Sequence, residues 1–109
     1  MDPIVVKKDE AKTFYEGPEL CREYCRTDKL WFGTSTLHPG QTGGIDPGHP
    51  GAHETFFVSH GEVVVRNPAD NKCYFLSQGD LLLIEEGEPH EITNVGEEMA
   101  VISWCGAPT

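Results

Sequence analysis

Short stretches of alternating or aromatic residues, separated by glycine and proline, dominate the hydrophobic pattern of this chain. No segment keeps an apolar 3.6-residue repeat for long, and residues 7–14 offer at most one helical turn. A series of short strands punctuated by glycine is typical of an all-β sandwich or barrel. The predicted strands, each flanked by turn-forming residues, lie at 21–27, 30–37, 54–60, 62–67, 72–77, 80–84, 90–94 and 99–105.

The segment 80–84, with the sequence DLLLI, differs from the other predicted strands because it has no polar alternation. Strands that read as continuous apolar runs are usually covered on both faces. We therefore expect one face of this strand to meet the core. The other face is expected to meet either a partner subunit or the N-terminal strands.

The length and charge of the chain limit the number of domains and the kinds of partner that we expect. A chain of 109 residues has room for one hydrophobic core, so we expect a single domain over 1–109. Its 18 acidic and 8 basic residues give a formal net charge of −10, the wrong sign for contacts with nucleic-acid phosphates. No apolar run approaches the roughly 20 residues of a membrane span, and charges interrupt residues 1–14 before a signal-like segment forms. We expect a cytoplasmic protein that binds neither nucleic acid nor membrane.

The cysteines are expected to be free thiols, because no export signal precedes them. Cys21 and Cys25 are separated by three residues, but no second close pair of cysteines accompanies them, as it would in a zinc ribbon. The sequence therefore gives the cysteines little functional weight.

Three histidines and a glutamate lie within the segment 48–62, GHPGAHETFFVSHGE. In an extended strand successive side chains point to opposite faces, so Glu54 and His53 are expected to face opposite ways. His49 precedes Glu54 by five residues, an odd spacing that would separate the two side chains in an uninterrupted strand. The intervening Pro-Gly pair predicts a turn or bulge, which resets the alternation and lets His49 and Glu54 face the same interior.

The segment 79–94, GDLLLIEEGEPHEITN, carries four residues at characteristic spacing, namely Gly79, Gly87, His90 and Asn94. The pattern resembles the second of the two motifs shared by cupins. In that motif a glycine is followed by five residues, a proline, one residue, a glycine, two residues, a histidine, three residues and an asparagine. Glu85 stands where the proline is usual.

The first cupin motif is matched less completely, over about residues 40–61. Counting back from Gly61, six residues lead to Glu54 and four more lead to His49, as for the glutamate and the second histidine of the motif. Pro47 occupies the position of the first metal-binding histidine. The resemblance therefore carries over His49 and Glu54 as ligands, but not Pro47.

The resemblance to cupins implies a double-stranded β-helix, or jelly-roll barrel, that is often a homodimer and holds one divalent metal inside. Residue by residue it implies His49, Glu54 and His90 as the metal ligands, a set of two histidines and one carboxylate. Two weaker candidates are Asp46, which adjoins the missing ligand position, and His53, which a slipped register at the bulge would bring inward.

These candidate ligands define the chemistry to expect. Two neutral imidazoles and a carboxylate suit Fe, Mn, Ni or Zn, and three protein ligands leave positions open for water or substrate. The first hypothesis is a small metal-dependent enzyme whose substrate is an oxygen-bearing organic molecule, an acid or a sugar derivative. Dioxygenase, isomerase, decarboxylase and lyase reactions all stay open, and His53 or His60 would supply a base where one is needed. The alternatives are a non-catalytic ligand-binding or sensory protein and a structural dimerisation domain.

Overall fold

Antiparallel strands joined by short turns build the fold, which confirms the all-β prediction. The computed structural model describes residues 2–109, where a single turn of 3-10 helix, Lys8–Glu10, precedes the first strand. Within that range no helix has the length and apolar character to cross a membrane. In chain order the strands are β1 (Lys12–Glu16), β2 (Glu19–Arg26), β3 (Trp31–Leu37), β4 (Ala52–His60), β5 (Glu62–Arg66), β6 (Cys73–Ser77), β7 (Leu81–Ile84), β8 (Glu91–Asn94) and β9 (Ala100–Pro108).

The predicted strands correspond to β2 through β9, whereas β1 was not predicted. The helical turn expected at 7–14 is confined to Lys8–Glu10, and the residues after it form β1. β1 pairs with β2 in an antiparallel hairpin whose register places Glu16 opposite Glu19. Pairing with β2, and not the local sequence pattern, therefore determines the conformation of this segment.

The strands of residues 2–109 form two sheets, with the orders β1-β2-β3-β9-β4-β7 and β6-β5-β8. The loop that connects β3 to β4 lies along β8, to which the bridges Thr42↔Thr93 and Asp46↔His90 attach it. In the second bridge, Asp46 N–H donates to the His90 carbonyl at 2.8 Å and His90 N–H donates to the Asp46 carbonyl at 2.9 Å. This loop is thus fixed beside the start of β8.

Both sheets contribute buried side chains to one hydrophobic cluster. Burial alternates along β3, β4 and β9, so one face of the large sheet is buried and the other faces outward. Deeply buried apolar side chains of this cluster include Leu37, Val58, Ala100 and Ile102 from the large sheet and Val63, Val65 and Ile92 from the small sheet.

Strand β7 departs from the expectation that both of its faces are covered. Ile84 is buried, but Leu81 and Leu83 are 55% and 56% exposed. β7 is the last strand of the large sheet and β1 is the first, so the N-terminal strands do not cover it. The expectation of cover by those strands is wrong, because an apolar run at a sheet edge can leave one face open.

Two tryptophans pack reciprocally against glycines on the neighbouring strand. In the register between β3 and β9, Trp31 pairs with Gly106 and Trp104 pairs with Gly33. A Cβ atom at either glycine would overlap the ring of its paired tryptophan. Glycine at both positions therefore leaves room for two indoles that line the internal cavity described below.

Gly33→Ala is expected to lower the free energy of unfolding by about 1–3 kcal/mol, because overpacking a filled interior displaces its neighbours. The added methyl group would overlap the Trp104 ring and the Arg22 carbonyl oxygen. Denaturant unfolding followed by tryptophan fluorescence measures the change. Gly96→Ala is the control, since its methyl group would have no neighbour closer than 3.4 Å. Equal losses of stability in the two variants would contradict this account of the packing.

Candidate metal centre

A turn before β4 brings His49 to the interior. The His49 carbonyl accepts a hydrogen bond from Ala52 N–H at 3.3 Å, which places Pro50 and Gly51 at the centre of the turn. Gly51 has a φ of 73°, as the third residue of a type II turn requires. The Pro-Gly turn predicted from the sequence is therefore present, and His49 and Glu54 line the same cavity.

The side chains of Asp46, His49, Glu54 and His90 converge, and we call these four residues the quartet. His49 Nε2 lies 3.5 Å from Glu54 Oε2, and His90 Nε2 lies 3.5 Å from Glu54 Oε1. The same two nitrogen atoms lie 3.6 and 3.7 Å from Asp46 Oδ2. Ligand atoms about 2.0–2.2 Å from one metal ion in a tetrahedral set lie about 3.3–3.6 Å apart. The four histidine–carboxylate separations are close to that range, whereas the ligand atoms of the quartet do not all lie within 4.8 Å of one another.

The hydrogen bond of His90 shows which of its nitrogens is free to bind a metal. His90 Nδ1 lies 3.1 Å from the Glu88 carbonyl oxygen, and a carbonyl only accepts hydrogen bonds. The proton of the neutral ring is therefore assigned to Nδ1, which leaves a lone pair on Nε2. Metal-binding histidines usually donate their other N–H in this way.

The acidic members of the quartet are oriented by single hydrogen bonds from their neighbours. Gly48 N–H donates to Asp46 Oδ1 at 2.8 Å, which leaves Oδ2 facing the two histidines. Trp31 Nε1 donates to Glu54 Oε2 at 3.3 Å. Within residues 2–109, Glu54 Oε1 is buried and has no hydrogen-bond partner.

The unpaired Glu54 oxygen is a test of whether a metal fits here. Burial raises the pKa of Glu54, and the two neighbouring histidines oppose that effect. A buried carboxylate oxygen without a partner is costly, and it faces the His90 Nε2 lone pair at 3.5 Å. Two acceptors at this distance repel each other unless a proton or a cation lies between them. The residues present therefore fit a divalent metal.

A second group of possible ligands, Glu16, Glu19 and Cys21, lines another part of the same cavity. Their ligand atoms lie within 4.8 Å of one another. Burial, and then the negative charge of Glu19, raise the pKa of the Cys21 thiol to about 12. The thiol donates a hydrogen bond to Glu19 Oε2 at 3.5 Å. Cys21 is a free thiol, as expected, and it lines the cavity, although the cysteines were assigned little functional weight from the sequence.

The two glutamates of this second group also have raised pKa values. Burial, and then the negative charges of Glu19, Asp46 and Glu54, raise the pKa of Glu16 to about 7. Burial likewise raises the pKa of Glu19, against the effect of a 2.5 Å hydrogen bond from Ser35 Oγ.

The quartet is the better candidate for a transition metal because it alone of the two groups offers imidazole nitrogen.

The remaining histidine candidates lie outside the cavity. His53 is exposed on the outer face of β4, opposite in direction to Glu54, so the weaker prediction that it joins the ligands has no geometric support. His60 is exposed and its Nε2 lies 2.7 Å from Glu98 Oε2. Neither histidine is placed to act as a base in the cavity. Asp46, the other weaker candidate, precedes the exposed Pro47. Its Oδ2 atom lies 3.6 Å from His49 Nε2, so Asp46 is part of the quartet.

Sequence reasoning missed the contribution of β1 and β2 to the cavity. Alternation along the segment 19–24, ELCREY, places Glu19 and Cys21 on one face, and that signal was available. The contribution of Glu16 was not visible because it depends on the β1–β2 pairing. Asn94, a conspicuous motif residue, is structural, since its side-chain nitrogen donates to the Leu37 carbonyl at 3.0 Å.

Comparison with known proteins places the chain in a family. The family model described as a cupin domain matches residues 33–105. The chain belongs to the cupin family. A search of curated proteins finds no match.

Solved structures with the same fold cover nearly the whole chain. A predicted oxalate decarboxylase from Thermotoga maritima has a TM-score of 0.80 and 21% identity, over 97% of this chain and 100% of that chain. A conserved protein with a double-stranded β-helix domain from Klebsiella pneumoniae has a TM-score of 0.81 and 22% identity, over 98% and 91%. KdgF from Halomonas sp. has a TM-score of 0.78 and 14% identity, over 99% and 96%. These likenesses confirm the predicted double-stranded β-helix.

In the presence of a chelator, the stability of the protein is expected to fall as the pH rises from about 5 to about 8. The folded pKa of Glu16, about 7, lies above its ordinary value of 4.5, so the folded protein binds this proton more tightly than the unfolded chain. This contribution to stability is fully present below the unfolded pKa of 4.5. It is lost as the pH rises through the folded pKa of about 7. Glu19 and Glu54 act in the same direction, because their pKa values are also raised.

Thermal unfolding as a function of pH measures this effect. Glu16→Gln should flatten the fall, because the amide does not titrate. Glu97→Gln removes the same charge at an exposed position and should leave the slope unchanged. Parallel pH profiles for the wild type and Glu16→Gln would contradict the assignment.

Proposed function

We propose that the protein is a metal-dependent cupin that binds a small, oxygen-bearing organic molecule at a divalent transition metal. The observation that carries the proposal is the quartet, in which the Nε2 atom of each histidine lies 3.5–3.7 Å from Asp46 Oδ2 and from one oxygen of Glu54. Within residues 2–109, Glu54 Oε1 has no hydrogen-bond partner. Fe, Mn, Ni or Zn would suit this donor set. The bound ion would polarise an oxygen of the ligand or lower the pKa of a water molecule.

Asp46 changes the ligand count that the sequence implies. The family pattern leaves a vacancy at Pro47, and the carboxylate of the preceding residue lies near both histidines instead. Four protein ligands close a tetrahedral site but leave two positions free on a six-coordinate ion. An enzymatic role therefore favours Fe, Mn or Ni, whereas a closed zinc site favours the alternative of a non-catalytic binding protein.

The cavity next to the quartet supports binding of a small molecule. Its volume is about 80 Å³, and its lining combines the rings of Phe14, Phe56 and Trp104 with the carboxyl groups of Glu16 and Glu19. A few polar groups in an apolar pocket are typical of ligand sites. With a pKa of about 7, Glu16 is suited to hold or release a proton at neutral pH, a role that the sequence had suggested for histidine.

Protein purified without chelator is expected to carry about one equivalent of a transition metal, because the quartet offers one site. His90→Ala should lose the metal, and Asp46→Ala should weaken binding by at least about tenfold. His53→Ala is the matched control and should bind as the wild type does, since its side chain lies on the outer face. Elemental analysis and competition with a chelator measure these changes.

Chelation should also lower the melting temperature of the wild type, because a ligand that binds only the folded state stabilises it. His90→Ala should show no such response. Equal metal content in the wild type and His90→Ala, or a wild type that stays empty when metal is added, would contradict the proposed site.

We also propose that a second copy of this chain covers the open face of β7. Phe57, 41% exposed, pairs across the strands with Leu81, and Thr55 pairs with Leu83. These four side chains carry no charge, whereas the whole chain has a net charge of −10. Two like-charged copies approach each other at the least electrostatic cost over such an uncharged surface.

Leu81→Asp is expected to shift the protein from dimer to monomer, because the introduced charge would be buried between copies without a partner. Light scattering after size-exclusion chromatography measures the mass. Tyr15→Asp is the control, since Tyr15 is exposed on β1 at the other end of the large sheet. A monomeric wild type, or a dimer that Leu81→Asp leaves intact, would refute this interface.

A further inference from the structure

The carboxyl groups of the cavity differ in whether a cation balances them. Glu23 and Glu91 line the cavity edge, and each is paired with an arginine, at 3.0 Å for Arg26 and 2.7 Å for Arg66. The remaining carboxyl groups of the lining have no arginine or lysine partner within residues 2–109, and these are Glu16, Glu19, Asp46 and Glu54. A divalent metal at the quartet would balance only part of their charge.

The position of Glu16 opposite Glu19 is an arrangement that costs stability. The two residues form a cross-strand pair in the β1–β2 hairpin, and like charges directly opposite each other are destabilising. The backbone is nevertheless shaped to admit one of them, since a Cβ atom at Gly43 would overlap the Glu19 carboxyl group. Ser35 and Cys21 both donate to Oε2 of Glu19, so these bonds leave its other oxygen available.

A second observation points to a ligand in the same cavity. Glu54 is only 6% exposed, it lines the cavity, and its Oε1 has no hydrogen-bond partner within residues 2–109. A metal at the quartet would pair this oxygen, but it would leave Glu16 and Glu19 without donors other than Ser35 and Cys21. A ligand with hydroxyl groups supplies the missing donors.

We propose that Glu16 and Glu19 are specificity-determining residues that select a neutral, polyhydroxylated ligand and reject carboxylate anions. This inference rests on the proposed metal site. A hydroxyl oxygen of such a ligand can bind the metal, while the other hydroxyl groups donate to the two glutamates. A carboxylate would meet the same glutamates as a like charge in a partly buried cavity, where repulsion is less screened than in bulk water.

Glycerol and glycerate are suitable probes because they share a three-carbon skeleton and differ in one terminal group, a hydroxymethyl group or a carboxylate. Their dissociation constants would be measured on Mn(II)-loaded protein by ligand-observed NMR at low salt. The pH would be 8, above the pKa of about 7 for Glu16. The quantity compared among variants is the ratio of the two dissociation constants.

Glu16→Gln is expected to shift this ratio roughly tenfold or more toward glycerate, because it removes one repelling charge. Glu19→Gln is expected to shift the ratio in the same direction. Glu97→Gln, which removes the same charge from an exposed position, is expected to leave the ratio unchanged. Two separate variants are used so that a folding defect in one does not decide the result, and circular dichroism checks both.

The outcomes separate this inference from the metal site. If the wild type binds one equivalent of Mn(II) but neither glutamate variant changes the ratio, the inference is overturned and the metal site stands. Binding of neither probe to the Mn(II)-loaded wild type would overturn it as well. A wild type that takes up no Mn(II) would overturn both proposals.

Discussion

The buried carboxylate of Glu54 is the constraint on which the site depends. It is 6% exposed, and its Oε1 faces the lone pair of His90 Nε2 at 3.5 Å. A buried carboxyl group needs a partner that supplies a proton or a positive charge. A metal ion among the quartet would satisfy Glu54 Oε1 and the lone pair of His90 Nε2 at once. The remaining features of the interior hold or modify that arrangement.

The fold supplies the proposed ligands from three segments, which are the β3–β4 loop, β4 and the residue before β8, and fixes them by backbone geometry. Glu54 lies in β4, whose pairing with β7 and β9 sets its inward direction. His49 is aimed by a turn, and the bridge between Asp46 and His90 joins the β3–β4 loop to the start of β8. Trp31, seated over Gly106, donates to Glu54. The proposed ligands therefore come together only in the folded barrel, so binding of a metal there would be linked to folding.

Sequence patterns predicted the strands from β2 onward, because alternation and glycine turns are local signals. The same patterns placed His49, Glu54 and His53 on their respective faces. The strand β1 and the contribution of Glu16 to the cavity were not predicted, because both depend on the pairing of β1 with β2. The exposed face of β7 was left open by the sequence, because it depends on the position of this strand at the end of the sheet. Asp46 was only a weaker candidate, since a loop side chain has no periodicity from which its direction can be read.

The central claim is that one metal ion lies among the quartet, and a crystal structure with anomalous scattering at the metal edge tests it most directly. The account predicts a single peak about 2.0–2.2 Å from the ligand atoms of His49, His90 and Glu54. A peak at Glu16, Glu19 and Cys21 instead, or no peak in crystals grown with added metal, would contradict it.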